Sequence, residues 1–215
     1  MCFNTKHFWN NLLNVNLPGD NAHRKFSPPE RLVPDQKTLS QLKPKEAAVL
    51  ILLFDNNDKT PHTLLMQRVA YNGVHSKQIS FPGGKKEQND SSFSDTAIRE
   101  CIEEVGAKRE AIDILGRLST LYIPPSNFLV HPFVAWYDGK PQFKGNPQEV
   151  DRLFTVSIDA LNDEKNRSIK SINVRNKTIE CPAFDVDNNI IWGATAMIIN
   201  ELLEIYRTGF NKSTS

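Results

Sequence analysis

Apolar and polar positions alternate in distinct patterns along the chain. Across residues 3–16, Phe3, Phe8, Trp9, Leu12, Leu13 and Val15 recur at roughly helical spacing, predicting a short amphipathic helix that ends at Leu17-Pro18-Gly19-Asp20. Residues 47–54 and 62–68 are apolar runs of strand length joined by the turn-forming Asp55-Asn56-Asn57-Asp58-Lys59, an antiparallel pair. A loop over 71–77 leads to a short strand at 78–81. Helical periodicity then returns: Ala97, Ile98, Cys101, Ile102 and Val105 share one side of a helix. Ser91 to Ser94 supply N-cap candidates, Asp95 falls in the first turn, and Gly106 stands where the helix would stop. Further strands are expected at 112–121, 130–137 and 151–156, with a short helix at 157–162. Residues 168–175 and 177–184 pattern as a hairpin about Asn176. Residues 190–196 open a final helix running through Tyr206.

This order of strands and helices fits an α/β fold, an α/β/α sandwich with a mixed sheet and helical additions at both ends. The expected organisation is an N-terminal helix and basic arm over 1–46, one domain over 47–208 and a flexible tail over 209–215. At 215 residues the chain can bury a sizeable core. A net charge of +1 argues against a protein built to coat nucleic acid or an anionic membrane. No stretch is long and apolar enough to span a bilayer, and residues 1–16 lack a signal-peptide core. Three cysteines without framework spacing suggest a reducing compartment, so a cytoplasmic enzyme is expected. Cys101, on the apolar side of its helix, reads as a packed small residue.

The chemistry concentrates in Phe81-Pro82-Gly83-Gly84, a polar loop, and Arg99-Glu100-Cys101-Ile102-Glu103-Glu104-Val105-Gly106. Glu100, Glu103 and Glu104 fall within an arc of roughly 100° on the helix. A solvated acidic face is one reading of such a cluster. The other is a site for a hard cation, Mg²⁺ or Mn²⁺, which takes oxygen ligands and turns the mutual repulsion into attraction. Gly83 and Gly84, which can bring bare backbone close to a ligand, favour the second.

The stretch resembles the Nudix box, G-x5-E-x7-R-E-U-x-E-E-x-G-U with U apolar. Arg99, Glu100, Cys101, Glu103, Glu104, Gly106 and Ala107 match its second half. In the first half Asp90 stands where the pattern has Glu, and eight residues rather than seven separate it from Arg99. Phe81-Pro82-Gly83-Gly84-Lys85, followed by acidic residues, is similar to the coenzyme A diphosphatase branch. So are Leu64-Leu65-Met66-Gln67-Arg68 and Ile191-Trp192-Gly193-Ala194-Thr195-Ala196, while His75-Ser76-Lys77-Gln78 lacks the branch's glycine.

The resemblance implies hydrolysis of a diphosphate with Mg²⁺ or Mn²⁺ as cofactor. The substrate implied is a small molecule, coenzyme A or a derivative, giving adenosine 3′,5′-bisphosphate and a phosphopantetheine product. ADP-ribose or dinucleotide hydrolysis, and a binding module without catalysis, are the rival readings. Glu100 and Glu104 are expected as metal ligands, with Glu103 as a further ligand and a carbonyl of Gly83 or Gly84 completing the set. The general base is Glu103, Glu100 or Glu149. Arg68, His75, Lys77 and Lys85 are expected to hold substrate phosphates. Arg99 is expected to turn away from the metal and brace the box on Asp90 or Glu87. His23, Arg24 and Lys25 belong to a surface arm or help hold an anionic substrate, and Trp192 packs in the core or lends its indole to a pocket wall, the core being preferred. No nucleic-acid or membrane partner is implied, and the oligomeric state is open, a homodimer included.

Overall fold

The computed structural model describes residues 5–13, 16–29, 31, 33–56, 59–69, 78–174 and 177–213, with side chains as far as 209. In chain order the elements are α1 (Thr5–Leu12), α2 (Asp20–Arg24), α3 (Gln36–Leu42), β1 (Lys45–Asp55), β2 (Pro61–Arg68), β3 (Ile79–Ser80), β4 (Gly83–Lys85) and α4 (Phe93–Val105). Then follow β5 (Ile112–Arg117), β6 (Leu121–Ile123), β7 (Phe128–Tyr137), β8 (Val150–Ser157), α5 (Ile158–Asn162), β9 (Arg167–Val174), β10 (Lys177–Val186), β11 (Asn189–Trp192) and α6 (Gly193–Ser213).

β1 is the axis of a mixed sheet. It pairs parallel with β7 along nearly its whole length, and antiparallel with β4 at one end and β2 at the other. Because β1 is central, both of its faces are buried, which its near-continuous apolar run requires. Leu50, Leu52 and Phe54 point to the side that α4 covers with Ala97, Cys101 and Val105. Ile51 and Leu53 point to the opposite core, shared with Ile198, Ile199 and Leu202 of α6. These are the layers of the expected sandwich. A smaller three-stranded sheet, in the order β11-β10-β9, packs beside α6.

The N-terminal segment is fastened to this frame. Trp9 is fully buried and stacks on Tyr206 at 5.1 Å, a burial worth about 2–3 kcal/mol. Phe26 stacks on Phe184 of β10 at 4.2 Å. The carboxylate of buried Glu201 accepts from the backbone N–H of Gly19 and of Ser119 and lies 2.9 Å from His23 Nε2.

Several sequence expectations shift. The basic arm contains α2, and α3 follows it. His23 is buried against Glu201 and Lys25 pairs with Glu204 at 2.8 Å, so these two serve α6, while Arg24 is exposed. The expected strand at 112–121 divides into β5 and β6, with a register shift between Ile114 and Gly116. Gly83-Gly84 forms a short strand on β1 before the helix is reached. Residues 190–192 are strand, because Ile190 and Ile191 pair with Asp185 and Phe184. The final helix starts at Gly193 and continues past Tyr206 to Ser213, so 209–213 extend it instead of forming a tail.

Candidate active site

Ser92 caps α4 through its hydroxyl, which accepts from Asp95 N at 3.1 Å, and Gly106 ends the helix in the left-handed conformation at φ +66°. The apolar side of α4 is fixed on the sheet, and this settles where its glutamates go. Glu104 is fully buried. One of its oxygens accepts from Arg68 Nη1 at 3.0 Å, and the other accepts from Gly83 N at 2.8 Å. Burial pushes its pKa up to about 7; Arg68 and the Gly83 N–H oppose this, and the charges of Glu100 and Glu149 add to it. Glu100, one turn earlier, is largely buried and its pKa is also raised, first by burial, with Arg99 opposing and Glu103 and Glu149 adding. Glu103 is about half exposed.

Gly84 faces Glu100 directly. A Cβ there would lie 2.4 Å from the Glu100 carboxyl carbon. At Gly83, with φ +155°, a Cβ would lie 2.4 Å from the Ala48 carbonyl oxygen. The two glycines do different work: the first lets the backbone seat against β1, and the second leaves room for a carboxylate.

Arg99 braces the loop through Asp90. Its Nε and Nη2 donate to the two Asp90 oxygens at 3.0 and 3.1 Å, and Nη2 also donates to the Lys85 carbonyl. Glu87 stands farther off at 3.9 Å. Asp90 is buried and also accepts from Glu87 N and the Thr96 hydroxyl. The Arg99 guanidinium, helped by these two donors and opposed by burial, holds the Asp90 carboxyl well below the usual carboxylate range. Arg99 does not turn away from the helix carboxylates, however. Its Nη1 donates at 3.0 Å to both Glu100 and Glu103, because a planar guanidinium can serve the loop with one edge and the helix with the other.

Among the described residues no three Asp, Glu, His or Cys side chains converge into a ready-made metal cage. The donor chemistry nonetheless fits a hard divalent cation. Glu100 and Glu104 are oxygen donors one turn apart, withdrawn from water and feeling each other and Glu149, so their proton affinities are raised. A cation relieves that same strain.

The glycine turn opens into a cleft of about 1150 Å³, largely apolar, whose walls include Arg68, Lys85, Phe128, Ile179 and Trp192. Arg68 lies beside the glycine turn as expected, with Nη1 committed to Glu104. Lys85 is exposed on the cleft wall. His75 and Lys77 lie outside the described residues. Glu149 reaches the carboxylates electrostatically, its carbonyl accepting from Val69 N beside Arg68. Trp192 is half-buried on the cleft wall, the second of its two expected places and not the preferred one. Sequence reasoning missed the Thr96 hydroxyl on Asp90, which its place six residues on in a capped helix could have revealed. It also missed Pro28, Pro29 and Arg31, which reach the cleft from the N-terminal segment without any periodic signal.

Residues 44–174 match the NUDIX domain family. Nudix hydrolase 15, mitochondrial, of Arabidopsis thaliana is 30% identical over 176 residues, covering 79% of this chain; the chain spans 61% of that protein's length. The uncharacterized Nudix hydrolase NudL of Yersinia pestis is 32% identical over 163 residues, 74% of this chain and 79% of that protein. Among solved structures, the M. smegmatis Nudix hydrolase RenU aligns with a TM-score of 0.52 at 15% identity, over 76% of this chain and 86% of that one. A MutT/nudix family protein from Enterococcus faecalis aligns at 0.51 and 16% identity, over 97% and 73%. These two structures share the fold. With the family match covering more than half of its length and two relatives at or above 30% identity, the chain belongs to the NUDIX family of hydrolases.

Proposed function

We propose that the chain hydrolyses the diphosphate bond of nucleoside diphosphate derivatives, with coenzyme A or its acyl forms as substrate, in a reducing cytoplasm. Adenosine 3′,5′-bisphosphate and (acyl-)4′-phosphopantetheine are the products. One observation carries this reading: the glycine turn that touches the buried carboxylates, Gly83 through Glu104 and Gly84 through Glu100, also lines a largely apolar cleft. The glycine turn beside the carboxylates suits a metal-bound diphosphate, and the apolar cleft suits a pantetheine arm. The Phe81-Pro82-Gly83-Gly84-Lys85 run and its acidic loop support the same branch, and the free, buried Cys101 and Cys181 support the compartment.

Glu100, Glu104 and Glu103 would hold Mg²⁺ or Mn²⁺. Such an ion neutralises the diphosphate oxygens and makes a nearby water easier to deprotonate. Arg68 fixes the Glu104 carboxylate, and Arg99 keeps Glu100 and Glu103 in register with the loop. We assign the proton-accepting role to Glu149, because Arg99 grips Glu100 and Glu103 while the charge of Glu149 reaches the same carboxylates from the segment before β8. Lys85 adds positive charge beside the turn for the substrate phosphates.

The test offers coenzyme A, ADP-ribose and NADH in parallel, with Mg²⁺ or Mn²⁺. Cleavage of coenzyme A above the others supports the reading. Cleavage of only ADP-ribose or NADH keeps the site and rejects the substrate. No metal-dependent cleavage of any diphosphate leaves a binding module.

A further inference from the structure

We propose that Arg31 is a specificity residue: it receives a second anionic group of the substrate, set apart from the diphosphate that Glu100 and Glu104 face. The assignment rests on the diphosphatase reading above and adds a second contact point to it.

Arg31 lies outside the matched family region, on the N-terminal segment that Phe26 pins to β10. It lines the cleft together with Pro28 and Pro29. Its Nη2 donates to the Tyr122 carbonyl at 2.8 Å. Its Nε and Nη1 are shielded from water and have no hydrogen-bond partner. Among the described residues no carboxylate forms an ion pair with it; Asp20 is the acidic group whose charge reaches it. Burial pulls its pKa down, but a guanidinium stays protonated at any working pH. Two idle donors shut away from water are costly, and an anion in the cleft that draws the guanidinium toward it, uncovering them, removes that cost.

The register of the sheet places this charge. Gly84 on β4 pairs with Ala48 on β1, Ala48 with His131 on β7, and β7 with β6, which carries Tyr122. Three strand spacings put β6 about 14 Å from β4. One anion cannot touch both ends. Besides Arg68 and Lys85, the other charged groups on the cleft wall are Lys177, which favours an anion, and Glu180, which disfavours one and is engaged by the Ser171 hydroxyl. The ligand chemistry is therefore a phosphate monoester or a carboxylate carried on a substrate long enough to reach from the glycine turn.

Two matched pairs separate these sources: coenzyme A against 3′-dephospho-coenzyme A, and succinyl- against butyryl-coenzyme A. Each is measured with the intact chain, by calorimetric binding without added metal and by kcat and KM with Mn²⁺. Wild type should prefer the member with the extra anion in one pair by about tenfold or more. Arg31→Gln should erase that preference through KM while leaving the partner that lacks the anion unchanged. Arg31→Lys should keep part of it. Equal loss on both members of each pair would make Arg31 a purely structural tie to β6. No preference in wild type, or a preference untouched by Arg31→Gln, would also overturn the proposal. Preferential binding without cleavage would reject the diphosphatase reading and keep Arg31 as an anion site; cleavage without preference would do the reverse.

Discussion

Gly84 and Glu100 occupy each other's space: the position a Cβ of residue 84 would take lies 2.4 Å from the Glu100 carboxyl carbon and from one of its oxygens. The backbone of β4 is therefore in contact with the buried carboxylate that the helix delivers. The first prediction compares the two glycines. Gly84→Ala should displace only the end of the Glu100 side chain, costing about 1 kcal/mol of stability but weakening Mn²⁺ binding and hydrolysis about tenfold or more. Gly83→Ala should clash with backbone and destabilise by about 3 kcal/mol. Melting curves and Mn²⁺ titration of both variants check this, and equal stability losses would refute it.

Glu104 holds its carboxyl where burial opposes charge, with its pKa pushed up to about 7. A raised carboxylate pKa means that the metal-free protein loses stability as pH rises from the unfolded value of about 4.3 through 7. Glu104→Gln should therefore leave the metal-free melting temperature at pH 8 unchanged or higher. It should also abolish the Mn²⁺-induced rise in Tm and lower kcat about a hundredfold. A variant that melts earlier without metal would show that the charge serves the fold.

Asp90 and Glu201 titrate with the opposite sign. Asp90 is held below the ordinary carboxylate range chiefly by Arg99. Burial raises Glu201, but its bonds to His23 and Ser119 together outweigh that and leave it low. Both contribute stability above the unfolded carboxylate pKa of about 4, and it is lost as pH falls through their lower folded values. Asp90→Asn should cost about 2 kcal/mol at pH 7, a penalty that begins to shrink below about pH 4 and keeps falling toward the low folded value, flattening the acid limb of a urea-denaturation pH series. A constant penalty across that range would contradict the Arg99 brace.

Glu149 is assigned the proton. Glu149→Gln should lower kcat with KM and the Mn²⁺-induced rise in Tm retained. Glu103→Gln should instead weaken metal binding. A kcat that survives in Glu149→Gln and is lost in Glu103→Gln, with Mn²⁺ binding retained only in the latter, would reverse the two roles.

The parts of this site legible in the sequence are those set by short spacing. Three glutamates on one helical arc, a capped start, a glycine stop, and an Arg nine residues after an Asp are local facts that periodicity carries. The choice of Asp90 over Glu87 needed the loop's fold, since Thr96 and the Glu87 N–H favour one carboxylate. Ile190-Ile191-Trp192 was ambiguous because a short apolar run suits a strand or a helix start, and pairing with β10 decides it. The parallel β1–β7 pairing joins segments about eighty residues apart, and no local pattern announces it. Arg31 was invisible for a related reason: a single arginine in a proline-broken segment acquires its place only when Phe26 stacks on Phe184.

The most direct test of the account is product analysis with coenzyme A and Mn²⁺, comparing wild type with Glu104→Gln. The account predicts adenosine 3′,5′-bisphosphate and 4′-phosphopantetheine from wild type and neither from the variant. Intact coenzyme A after incubation with a wild-type protein that binds Mn²⁺, or equal product from both proteins, would contradict it.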